Sequence, residues 1–186
     1  WDDLKYDEWV QVMDQFFKEA NRVLKKKGSM IMFMSLLKVE TIVKLAVKHK
    51  FYYKTTGIWH KTNPMPRNMN LHFINSVEGT FNNNGQALHD FIETSVAPSS
   101  EKIYGKHPTQ KPEILFEHFV EKLTNKGDTV LDPFMGSGTA GVVSKRNGRN
   151  FIGIELDEQY FQIAQRRIQS VDVEYNLFNM DCPDLI

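Results

Sequence analysis

The sequence predicts an α/β fold: a mostly parallel sheet with helices on both faces. Three observations carry that prediction. Over residues 6–59, apolar segments of helical period alternate with strand-like runs, the pattern of parallel strands joined by crossover helices. Ser29-Met-Ile-Met-Phe-Met-Ser35 is a continuous apolar run, as expected of a strand covered on both faces. Thr129-Val-Leu-Asp132 leads into Pro-Phe-Met-Gly136-Ser-Gly138-Thr139, then a helix, then Phe151-Ile-Gly-Ile-Glu155. This is one βαβ unit whose ligand edge lies at its strand tips.

The elements follow in order. From Tyr6 to Leu24 the apolar residues Trp9, Val10, Met13, Phe16, Phe17, Ala20, Val23 and Leu24 keep a period of about 3.6 residues, one face of an amphipathic helix. Lys25-Lys26-Lys27-Gly28 closes it, since cations favour the negative helix end and glycine takes the left-handed cap. The 29–35 strand is followed by a helix over 36–48 and a β-rich segment over 51–59. Residues 60–104 change character, with the proline-punctuated turn His60–Asn68 and an asparagine-rich stretch through Gly85. That length of irregular chain inside a domain reads as a functional loop; a solvated loop is the plainer alternative. A helix over 113–123 begins at Pro112, where a missing N–H costs nothing. After the βαβ unit a helix runs through Tyr160, Phe161, Ala164 and Ile168. Val173-Glu-Tyr-Asn-Leu-Phe reads as a last strand ending near Asp181.

Composition narrows the function. With 186 residues, 41% hydrophobic and 25% charged, the chain suits one domain with a substantial core. Lys+Arg and Asp+Glu both number 23, so contact with nucleic acid must come from a local basic surface. Cys182 is the single cysteine; an intrachain disulfide and a cysteine-cluster metal site are excluded, which fits the reducing cytoplasm. No apolar run approaches the roughly 20 residues of a membrane helix, and nothing reads as a secretion signal. The chain starts at Trp1 without a methionine, as expected of a fragment, a processed product or the ordered part of something longer.

The chemistry concentrates on the glycine turn. Gly136, Gly138 and Gly141 match the dinucleotide pattern G-x-G-x-x-G, and small residues at 136 and 138 let backbone N–H groups approach a ligand. Asp132, however, stands at the strand tip where a pyrophosphate would lie, and like charges repel there. Glu155, at the next tip, is placed to accept hydrogen bonds from ribose hydroxyls. Two acids on one edge point to a ribonucleoside with a cationic end and no phosphate, a description S-adenosylmethionine fits. A structural turn with a capping acid is the plainer reading, and a nicotinamide-dependent oxidoreductase the remote one.

Asp132-Pro-Phe-Met-Gly-Ser-Gly-Thr139 resembles the cofactor motif of the amino-group DNA methyltransferases. Lys106-His-Pro-Thr-Gln-Lys-Pro112 resembles the segment preceding it in the circularly permuted β-class, and Trp59-His-Lys61-Thr-Asn63-Pro64-Met-Pro66 resembles the turn before that class's target-recognition region. The resemblance covers nearly the whole chain. It implies a Rossmann-like methyltransferase fold in a single domain: residues 1–59 from the catalytic half, 60–104 for target recognition and 105–186 for the cofactor. It also implies methyl transfer from S-adenosylmethionine to a base amine in DNA. Adenine N6 is favoured, with cytosine N4 or a catalytically inactive binding module as alternatives. His107, Pro108, Thr109, Gln110 and Lys111 would line the methionine end. Asp132 would accept from the α-amine, and Pro133, Phe134, Gly136, Ser137, Gly138 and Thr139 would form the wall. Glu155 would hold the ribose, Leu156 would pack on adenine and Asp181 would bind the adenine amino group. Lys61, Asn63 and Arg67 would contact DNA. A cognate restriction endonuclease and a second copy of the chain are the protein partners it suggests; no metal is implied.

One departure stands out. The family's catalytic signature, an Asp, Asn or Ser followed by Pro-Pro and an aromatic residue, has no counterpart, because the chain contains no Pro-Pro pair. That signature frees the delocalised lone pair of the base amine, and its aromatic ring stacks on the flipped base. In the family its strand lies between those of Val130 and Met30–Met34, and leaving buried strand edges unpaired costs ~1–3 kcal/mol per group. The expectation is that the segment precedes Trp1 in the parent protein, with a second omission near Glu78-Gly79. An intact mass near 21.6 kDa would overturn that expectation.

Overall fold

The structure, a computed structural model, describes residues 4–62, 69–75, 80–82 and 91–178, of which 69–75 and 172–178 are described by their backbone. The chain forms two compact units, Trp1–Glu93 and Thr94–Ile186.

In the first unit, α1 (Tyr6–Val23) opens where the Glu8 carboxylate accepts the Lys5 backbone N–H at 3.2 Å. Trp9, Met13 and Phe17 fall four residues apart and are buried on one face. After the turn closed by Gly28 N–H on the Lys25 carbonyl comes β1 (Ser29–Met34). A 3₁₀ turn (Leu36–Lys38), capped by Ser35 Oγ, then leads into α2 (Val39–Lys48) and β2 (Tyr52–Lys61). The core gathers Trp9, Met13, Phe17, Met34, Ile42, Leu45, Ala46 and Phe51. Asp14 ties α1 to the end of α2 through Lys48 Nζ at 2.7 Å and His49 Nε2 at 2.8 Å.

The expectation of irregular chain over 60–104 needs correction. Here lie β3 (Met69–Asn75), β4 (Phe91–Thr94) and a 3₁₀ turn (Ser99–Lys102), and the four-stranded sheet runs β1-β3-β2-β4. β3 pairs antiparallel with β1, from Ser29 opposite Asn75 to Met34 opposite Asn70, and antiparallel with β2. β1 and β2 therefore share a direction, as α2 crossing between them requires, but β3 stands between them. The short β2–β3 connection permits only an antiparallel return.

The second unit holds α3 (Glu113–Leu123), β5 (Thr129–Asp132), α4 (Thr139–Arg146), β6 (Asn150–Gly153) and α5 (Glu158–Phe178). β5 and β6 pair in parallel, Thr129 opposite Asn150 through Asp132 opposite Gly153. α4 packs on both strands, with α3 and α5 against it. Gly141 makes this possible: a Cβ there would lie 2.4 Å from Ile168 Cδ1 and 2.7 Å from the Phe151 ring. Leu131 and Ile152 point to the opposite face and are about half exposed. The strand expected over 173–178 is instead the last part of α5. No glycine or proline interrupts residues 158–178, so a helix once started propagates through its β-branched residues.

Candidate cofactor site

The site is built at the tips of β5 and β6. The two strands end by exchanging backbone bonds beyond their ladder: Ile154 N–H donates to the Asp132 carbonyl and Met135 N–H to the Ile154 carbonyl, each at 3.0 Å. Phe134 N–H then donates to Asp132 Oδ1 at 3.1 Å, folding the chain over the carboxylate. Glu155 is fixed more firmly. Its Oε2 accepts Gly136 N–H at 2.8 Å, and its Oε1 accepts the N–H groups of Leu156 and Asp157 at 2.9 and 3.0 Å. A carboxylate offers about four lone-pair sites, so Glu155 keeps capacity for a hydroxyl.

Burial holds the Asp132 carboxyl above the usual carboxylate range, and the charge of Glu155 adds to this; the Phe134 N–H and Lys111 oppose it. An acid in this setting favours a cationic partner, which restores the ionised form. Among the described residues no group of three His, Cys, Asp or Glu side chains could hold a metal ion.

The 107–111 segment meets the turn at His107. Its ring stands edge-on to Tyr160 with centroids 4.2 Å apart, and Nδ1 lies 3.3 Å from the Thr109 backbone nitrogen. Burial first, then Lys111, hold its imidazole below the ordinary histidine value, against the pull of Glu155 and Asp157. Gly136 adopts φ +52°, and a Cβ there would lie 3.0 Å from His107 Nε2. Glycine is needed at this point because the histidine occupies the place of a side chain. Gln110 commits its amide to the Glu101 carbonyl at 2.8 Å, and the Lys111 carbonyl accepts Thr139 Oγ1 at 3.2 Å.

Four of the expected residues spend groups within the protein. The side chains of Ser137 and Thr139 are buried and bonded to Arg167. Gly138, at φ +76°, makes room for a helix: a Cβ there would lie 2.8 Å from Ala164 Cβ, and its N–H is spent on the Met135 carbonyl at 2.7 Å. Gln110 already donates within the protein. Phe134 and Leu156, 65% and 96% exposed, flank the two acids as large apolar surfaces. Pro133 is half-buried, while Pro108 and Thr109 are exposed.

Arg167 is the residue that sequence reasoning missed. It is 3% exposed; its Nη1 donates to the Ser137 carbonyl at 2.8 Å and to the Ser137 and Thr139 hydroxyls at 3.1 Å. Its Nη2 pairs with Glu113 Oε1 at 2.8 Å, and Arg146 binds the other Glu113 oxygen at 2.9 Å. The available signal was periodic: Arg167 shares the inward face of α5 with Ala164 and Val171. A cleft of about 310 Å³ beside this network is lined by Glu101, Glu113, Arg146 and Arg167 and by none of the expected cofactor residues.

In the first unit, Lys61 Nζ stands 4.7 Å from the centre of the buried Trp59 ring. The neighbouring His60 stacks on Phe91, centroids 5.7 Å apart, and meets Glu93 at 3.0 Å. Asn63, Arg67 and Asp181, and the Glu78-Gly79 position, lie outside the described residues.

The chain has relatives among known proteins. The DNA methylase family of N6/N4 type matches residues 1–82 and 76–166. Among curated proteins, the Type II methyltransferase M2.DpnII of Streptococcus pneumoniae is 34% identical over 191 residues, covering 91% of this chain and 71% of its own length. M2.LlaDCHI of Lactococcus lactis subsp. cremoris, also a Type II methyltransferase, is 33% identical over 189 residues, covering 90% and 70%. Among solved structures, that of the M1.HpyAVI-SAM complex superposes with a TM-score of 0.75 at 33% identity, over 88% of this chain and 85% of the other.

Proposed function

This chain belongs to the N6/N4 DNA methylase family, and we propose that it methylates adenine at N6 within a specific DNA sequence. It is a DNA methyltransferase, and S-adenosylmethionine is its cofactor. One observation carries the placement of the site: Asp132 and Glu155 stand at adjacent strand tips, the first poised for a cation and the second held by three backbone N–H groups with a lone pair to spare.

The cofactor supplies a methyl group on a sulfonium that an amine can attack. The residues of this chain do the binding. Asp132 accepts the α-amine and Glu155 the ribose hydroxyls. Phe134 and Leu156 cover the adenine, and the 107–111 segment borders the methionine end with a neutral His107. Lys61, Asn63 and Arg67 contact the DNA. Catalysis in this arrangement is mostly positioning and exclusion of water. The turn at Trp59–Pro66, which resembles that of the adenine-modifying members, favours N6 over cytosine N4. The Type II relatives support a cognate restriction endonuclease as partner.

The test is transfer of labelled methyl groups from S-adenosylmethionine to DNA by the full-length protein, followed by nucleoside analysis. N6-methyladenine is the expected product. N4-methylcytosine alone would overturn the base assignment. Cofactor binding without any transfer would make the protein an inactive binding module.

A further inference from the structure

We infer that Arg167 is a positioning residue for the cofactor turn, acting from beneath it without touching the ligand. The inference rests on the placement of the cofactor at the β5 and β6 tips. The guanidinium is almost fully buried, and its planar fork reaches two segments at once. One arm holds the Ser137 carbonyl and hydroxyl and the Thr139 hydroxyl; the other holds Glu113 at the start of α3. Thr139 passes the constraint on, because its hydroxyl also donates to the Lys111 carbonyl. Arg167 is thus the node joining the glycine turn, the end of the 107–111 segment and α3.

The geometry explains why an arginine does this. The turn contains two left-handed residues, Gly136 and Gly138, which have no side chains to anchor them. The turn has its own Gly138 N–H bond to the Met135 carbonyl, and Arg167 Nη1 holds it from outside through the Ser137 carbonyl and hydroxyl. Fixing Ser137 fixes the peptide next to Gly136, whose N–H locks Glu155 at 2.8 Å. A lysine would restore the charge but not the simultaneous bonds.

The experiment compares wild-type full-length protein with Arg167→Lys, Arg167→Met, Arg146→Met and Asp132→Ala. Calorimetric titration with S-adenosylmethionine, Michaelis constants for cofactor and DNA, and melting temperature are measured for each. Arg146→Met is the control for mere stability, since it breaks the same Glu113 network without touching the turn. For Arg167→Lys the expected result is cofactor affinity weakened by roughly tenfold or more, a matching rise in the cofactor KM, and a DNA KM changed less than about twofold. Arg146→Met should lower the melting temperature and leave cofactor affinity in place. If both Arg167 variants melt lower yet bind cofactor like wild type, Arg167 is only structural and the inference falls. If Asp132→Ala also binds like wild type, the site itself has been misplaced, which separates the two failures. Should Arg167→Met fail to fold, Arg167→Lys still decides.

Discussion

In the proposed role of Asp132, one residue trades stability for binding. Its folded-state pKa is raised by burial, so between the unfolded value of about 3.9 and that raised value the folded chain holds the proton more tightly. Stability from this group is therefore fully present below about pH 4 and is lost as pH rises through the folded pKa. Asp132→Asn removes a charge that is costly without its partner. We expect the cofactor-free variant to melt above wild type at pH 7, the difference vanishing towards pH 4, while S-adenosylmethionine binding is lost. A lower melting point at pH 7 would mean that the Phe134 N–H and Lys111 outweigh burial. Glycines give a second prediction. Gly127 and Gly138 both have positive φ, but only at Gly138 does a Cβ collide, with Ala164. Gly127→Ala should cost ~1 kcal/mol of backbone strain and Gly138→Ala about 2–4 kcal/mol, strain plus overpacking. Denaturant titration of the two variants checks the difference.

At the scale of elements, α5 has two tasks: it closes the unit behind α4 and delivers Arg167. Asp157 starts it, Oδ1 accepting the N–H groups of Gln159 and Tyr160 at 2.9 and 3.1 Å. Replacing this cap by alanine should cost about 0.5–2 kcal/mol, and asparagine should restore most of the loss; thermal melts would show it. Equal losses for both variants would rule out capping as the cause. The same helix shows what sequence could not provide at its far end. Val171 to Phe178 carries strand-forming residues, but local propensity gave way to a helix already running with no breaker in its path. β3 failed in the opposite direction. Met69, Leu71 and Phe73 alternate with Asn70 and His72, a period of two that the surrounding prolines and asparagines concealed.

Across the whole molecule the two units divide the reporters as well as the chemistry. Trp1, Trp9 and Trp59 all precede Glu93, whereas the proposed cofactor residues follow it. Saturating S-adenosylmethionine at about 100 times Kd should stabilise what binds it by ~2.7 kcal/mol. If the chain unfolds as the single domain its sequence suggests, tryptophan fluorescence will report the upward shift as fully as circular dichroism does. A fluorescence melt that ignores the cofactor would show that the units unfold independently. Among the described residues no helix is long and apolar enough to cross a membrane.

The sequence by itself determined the α/β class, the start of α1, the boundaries of α3 and β5, and the two acids at the strand tips; α1 ends at an extended Leu24 and not through a left-handed Gly28. These are local: helical period, a proline at a helix start, and an acid ending an apolar run each leave their mark within a few residues. It also carried the family, because Asp132–Thr139 and Lys106–Pro112 are contiguous motifs. Only the tertiary structure decided what stands between β1 and β2, that Gly138 and Gly141 serve helix packing, and that Ser137 and Thr139 face inward. Those facts depend on partners distant in the chain, such as Ala164, Ile168 and Arg167, and no local pattern encodes which way a hydroxyl turns. The acidic edge proposed for the nucleoside was legible in Asp132 and Glu155; the buried arginine beneath the turn became visible only when α5 was folded against it.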